Sequence, residues 1–146
     1  MQRFINVIRN IFTIVVGFIV GGTFNMLVGF INTLIFPLPK GMSYWDMFDE
    51  EKFQEIVDWI GTLSQSAFIL VLVAHLSQAF FGGYVAAFIS KRNVMCVTMV
   101  VGSLSLVAGL MNMAQMPAPL WLWIEMPLYL LVAWYAGKLE LKRRKR

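Results

Sequence analysis

Chemistry inside a largely apolar chain needs polar groups at positions where water is scarce, and here such groups are few. His75, the only histidine, stands in the middle of residues 68–90, a run with no ionised side chain before Lys91. Gln78 follows it by one helical turn, on the same face. Asn25 interrupts an earlier apolar run at 11–36, and Glu125 lies near the start of a late one at 120–137. A buried carboxylate is costly unless it is paired, protonated or facing water, and histidine changes charge near neutral pH. A titrating pair of Glu125 and His75, in a proton-coupled site or a small-ligand pocket, is the chemistry these types permit. The structural alternatives are a neutral imidazole bonded to a neighbouring helix and a glutamate at the headgroup boundary beside Trp121, accepting bonds from Lys40, Lys52 or water. Counting about 1.5 Å per residue inward, Asn25 and His75 fall roughly 16 to 18 Å deep, near a bilayer midplane. Asn32, Asn112, Gln115 and Glu125 lie shallower, so the candidate pocket Asn25, Asn32, His75, Gln78, Asn112 and Glu125 forms a polar path descending toward the histidine.

Other chemistries lack their residues. Zinc takes three or four ligands, and the single histidine is far along the chain from the single cysteine, Cys96. No phosphate-binding glycine loop, hydrolase elbow or metal motif occurs, so neither enzymatic activity nor a cofactor is expected.

The elements that must position these groups follow from hydropathy. Of the 146 residues, 59% are hydrophobic and 14% charged, far from a soluble composition. The expected fold is all-α: an integral membrane four-helix bundle forming one domain over residues 1–146. Its spans cover about 11–36, 63–90, 94–113 and 120–137, each long enough for a bilayer. The first run exceeds a signal-peptide core and lacks an A-x-A cleavage site, so it is read as a retained span. Pro37-Leu38-Pro39 ends it, and Pro127 is a candidate kink in the last span. Residues 46–60 carry Phe53, Ile56, Val57 and Ile60 opposite Glu51, Glu55 and Asp58, which predicts a short amphipathic helix in the outer loop between the first two spans. Small residues recur every three or four positions: Gly17, Gly21 and Gly29 in the first span, Ala79, Gly83 and Ala87 below His75 in the second, Gly102 and Gly109 with Ser105 in the third. Such stripes let helices approach closely in lipid. The second span is therefore expected to be the central packing element.

Charge orients the bundle. Every lysine and arginine except Lys40 and Lys52 falls at the amino terminus, the Lys91-Arg92 turn or the tail 138–146, which predicts an N-in/C-in topology with both termini cytoplasmic. The basic tail suits that signal and is also a candidate for anionic lipid headgroups; no nucleic-acid role is inferred from it.

Three stretches carry a resemblance: N-x-L-x(4)-N-T-L-I-x-P-x-P-x-G from Asn25 to Gly41, A-F-x-L-V-L-x-A-H from Ala67 to His75, and F-G-G-x-V-A-A-x-I from Phe81 to Ile89. Over roughly the first two spans the chain resembles small four-span bacterial membrane proteins with no assigned function. The resemblance implies a bacterial inner-membrane setting and a family, not an activity. Small multidrug transporters differ where it matters, because they carry a glutamate in the first span and a weak charge bias. Two functions follow as expectations. The first is a structural or accessory subunit of a membrane assembly or homo-oligomer, whose partners are the lipid bilayer and another copy or another membrane protein. The second is a small transporter or ligand-binding protein with an outward-facing polar pocket around His75 and Glu125.

Overall fold

The computed structural model describes residues 2–146, with side chains from residue 5 onward. The side chain of Arg3, one of the residues counted toward the topology, lies outside that range. The described residues form helices and turns without strands. They are α1 (Gln2–Ile35), α2 (Phe53–Thr62), α3 (Gln65–Ile89), α4 (Val94–Gln115) and α5 (Glu125–Arg144), with 3-10 turns at Tyr44–Phe48, Glu50–Lys52 and Leu120–Ile124. Four segments are long and apolar enough to cross a membrane: Ile5–Ile35, Gln65–Ile89, Val94–Gln115 and Leu120–Arg144. They support a multi-pass membrane protein.

Several boundaries differ from expectation for identifiable reasons. The lead-in before residue 11 belongs to α1, which runs unbroken from Gln2. The segment 46–60 is α-helical only from Phe53. Before that, Asp49 caps a 3-10 turn by accepting the Glu51 N–H. Pro127 is the third residue of α5, where the backbone N–H has no intrahelical partner to lose, so it needs no kink. The residues of the expected span start, 120–124, form the 3-10 turn instead. At the far end α5 continues through the charged tail to Arg144.

α3 packs against α1, α4 and α5, the central place expected of it. Two adjacent glycines serve opposite faces. Gly82 lies against α1, where a Cβ on Gly17 would sit 2.5 Å from the Gly82 carbonyl oxygen and 2.7 Å from Ala86 Cβ. One turn along this seam, Gly21 lies against the backbone carbonyl of Gln78. Gly83 faces the other way, where a Cβ would sit 3.6 to 3.7 Å from Thr98, Ala133 and Ala136. Without a hydrophobic drive between helices in lipid, this backbone proximity is what dispersion requires. Gly102 lies against Ala133 Cβ, Gly109 beneath the Tyr129 ring, and Ala79 and Ala87 are fully buried. Gly29 is the exception among the packing positions, because a Cβ there would meet the Tyr44 hydroxyl of the α1–α2 loop, at 3.2 Å, rather than another span.

The end of the bundle that carries the termini is locked by charge. Glu140 is fully buried and accepts 2.7 Å bonds from Arg143 and a 2.8 Å bond from Arg144. Arg144 also donates to the carbonyls of Ala87 (2.7 Å), Ser90 and Lys91 (3.3 Å). Those are orphan acceptors at the end of α3. Two tail arginines therefore have protein partners, while Lys142, Lys145 and Arg146 are exposed and Lys138, also exposed, lies over the Trp134 ring.

Candidate functional site

α3 carries His75 into the bundle ten residues from its start, and α5 presents Glu125 from its first turn. The two side chains meet: His75 Nδ1 lies 3.0 Å from Glu125 Oε2. Tyr129, one turn after Glu125 on the same face, donates its hydroxyl to the other carboxylate oxygen at 3.4 Å. Glu125 is 0% exposed and the His75 side chain 12%. The expected alternative of an interfacial glutamate served by Lys40 or Lys52 is not what the structure contains. Lys52 instead pairs with Asp46 at 2.8 Å, and Glu125 is turned inward, at a helix amino terminus where the dipole favours negative charge.

Two cavities adjoin at this pair. The deeper chamber, of about 220 Å³, is lined by Asn25, His75, Gln78, Ser105, Asn112 and Tyr129 among others. Its side toward α1 is fastened by an amide bridge, Asn25 Nδ2 donating to Gln78 Oε1 at 2.7 Å. A vestibule of about 190 Å³ shares Asn25, His75 and Asn112 with the chamber and adds Asn32, Tyr44 and Trp59. The α1–α2 loop and α2 roof it. Tyr44 donates to the Met26 carbonyl and Trp59 Nε1 to the Pro37 carbonyl, each at 3.2 Å, while Ile56 is buried beneath. The Asp46–Lys52 pair staples the loop. Its hydrogen bond from Lys52, with that from the Ser43 N–H, holds the Asp46 carboxyl below the usual aspartate range.

The structure thus gathers Asn25, Asn32, His75 and Asn112 on the vestibule, and Asn25, His75, Gln78 and Asn112 on the chamber. Glu125 does not line either cavity; it stands behind His75. Gln115, on the expected polar path, faces a separate shallow groove with Met47 and Phe53. Ser105, read as part of a packing stripe, has a buried hydroxyl without a partner on the chamber wall, and Asn32 Oδ1 is likewise unpartnered at the vestibule. Tyr129, Tyr44 and Trp59 were not anticipated. Tyr129 was legible as the residue four after Glu125, but the two aromatics depend on how the loop folds back.

Among the described residues no three histidine, cysteine or acidic side chains gather as a metal site. No protein-family model, curated protein or solved structure matches the chain. Function is therefore argued from this geometry, and the resemblance rests on its quoted motifs alone. Chemically, a carboxylate held against His75 Nδ1 orients the ring and leaves Nε2 for an occupant of the cavities.

Proposed function

We propose that this chain is a four-span protein of the bacterial inner membrane, N-in and C-in, that binds a small polar solute in the pocket around His75 and carries it or a proton inward. The observation behind this reading is that His75, a wall of both cavities, is backed by a fully buried glutamate. Intramembrane ionisable groups of that kind serve ion and solute pathways more often than packing. The orientation is supported by the concentration of lysine and arginine at the end opposite α2, and it opens the vestibule outward. The accessory-subunit reading has less support, since Gly17, Gly21, Gly82, Gly102 and Gly109 have neighbours within the chain. It keeps the exposed rim of Trp45 and Phe48 beside Asp49, Glu50 and Glu51.

Cysteine labelling tests the proposal. In a Cys96→Ser background, Lys40→Cys and Asn112→Cys are exposed in turn to a small membrane-impermeant thiol reagent added outside intact cells. Both are expected to react, Asn112→Cys more slowly. Reaction of Lys40→Cys only after permeabilisation would reverse the topology. An unreactive Asn112→Cys beside a reactive Lys40→Cys would remove the water-accessible pocket.

A further inference from the structure

We infer that the pocket takes a small cation, an ammonium of a few heavy atoms, in exchange for the proton that Glu125 and His75 share. The inference rests on the pocket reading above and names its substrate class. It begins with a charge count. The titratable groups facing Glu125 are His75 on α3, at 3.0 Å, and Tyr129 on its own helix, at 3.4 Å. Among polar side chains on the cavities, α1 contributes the uncharged Asn25, Asn32 and Thr33, α4 the uncharged Ser105 and Asn112, and the roof contributes Tyr44. Neither cavity is lined by a lysine or arginine. An uncompensated negative charge at this depth is expensive, so the pair holds either a proton or another cation nearby.

The walls discriminate further. Asn32 is largely buried, and its Oδ1 is an acceptor without a donor. Its amide nitrogen is already used on the Ala67 carbonyl at 3.4 Å. An occupant that brings only N–H donors satisfies it; an anion cannot, and would also meet the carboxylate behind His75. Tyr44, Trp59 and Phe68 on the vestibule add aromatic surface of the kind that attracts ammonium groups. A neutral amide solute would fit the asparagines, but it would leave the protonation of the pair unaltered. Size follows from volume. The vestibule and the chamber, about 190 and 220 Å³, are each below the usual range of roughly 300 to 1,000 Å³ for drug-sized sites. The exchange balances: one positive charge enters, the proton leaves His75 through the vestibule, and the net charge of the site is unchanged.

The experiment is calorimetric titration of the purified full chain in detergent, weakly buffered near neutral pH with an indicator dye. The probes are methylammonium, acetamide and acetate, small solutes of two to four heavy atoms that differ in charge. Methylammonium is expected to bind and release about one proton per site, and the other two to bind more weakly without proton release. Glu125→Gln, checked for folding by circular dichroism and size exclusion, is expected to weaken methylammonium at least about tenfold. Preferential binding of acetamide or acetate, or methylammonium binding without proton release, overturns the exchange while leaving a ligand pocket. Failure of folded wild-type protein to bind any probe overturns both the exchange and the pocket reading.

Discussion

At the scale of single residues the molecule is organised by one polar contact, His75 to Glu125. Each partner makes the other tolerable in an apolar bundle. Removing the histidine leaves a carboxylate with only the long bond to Tyr129, and stranding a buried charge in this way costs about 3–5 kcal/mol. Glu125→Gln removes the charge, so the histidine then has less to compensate. The expected outcome is that His75→Ala and Glu125→Gln are not additive, with a coupling of about 0.5–3 kcal/mol in a double-mutant cycle of unfolding in mixed micelles. Strict additivity would mean that the two side chains do not share a proton. Tyr129→Phe, which deletes a 3.4 Å bond, is expected to cost only about 1 kcal/mol.

Between elements, stability depends on how close α1 and α3 come. Their seam is made by Gly17 and Gly21 against Gly82 and the Gln78 backbone, and the Asn25–Gln78 bridge continues it into the chamber wall. The same approach that packs the helices therefore sets the register of the pocket. Neighbouring glycines give an internal control. Gly21→Leu must push a side chain into the Gln78 carbonyl, whereas Gly22 has nothing within 4 Å. Thermal unfolding in detergent should show Gly21→Leu destabilised by about 1–3 kcal/mol or more, with Gly22→Leu close to wild type. Equal effects would place α1 in a different rotation. At Gly83 a Cβ would meet α4 and α5 at 3.6 to 3.7 Å, ordinary contact, so that seam is less tight than the one at Gly21.

Over the whole molecule, the two ends of the bundle are built on different principles. The end roofed by α2 keeps the two cavities that His75 lines. The opposite end is closed by the ion pairs of Glu140 with Arg143 and Arg144. Arg144 joins the end of α5 to the last turn of α3 and the residues that follow it. Arg144→Gln is expected to destabilise the fold by about 1–3 kcal/mol through unsatisfied α3 carbonyls and a weakened Glu140 pairing. Lys142→Gln, on the exposed tail, is expected to be silent. If the two behaved alike in an unfolding assay, the clasp would be surface decoration.

The spans, the prolines that end α1 and the helical face of residues 53–60 were legible in the sequence because each depends on neighbours a few positions away. That Asn25 and His75 fall at one level was legible for the same reason, since rise per residue is constant in a helix, and the two line the same cavities. The inward turn of Glu125 was not. It depends on the 3-10 turn over 120–124 and on the seating of Tyr129 on Gly109, the second an agreement between segments distant in sequence. The helix in the charged tail escaped the hydropathy reading too, because the partners of Glu140 and Arg144 make it favourable and composition alone does not. Gly29 looked like a helix seat by its spacing, yet the returning loop put Tyr44 there. The sequence by itself determined which segments are apolar enough to enter a membrane and which polar residues they carry. Only the tertiary structure decided which of those residues meet, because helix rotation is set by side-chain packing across the bundle and not by periodicity along one chain.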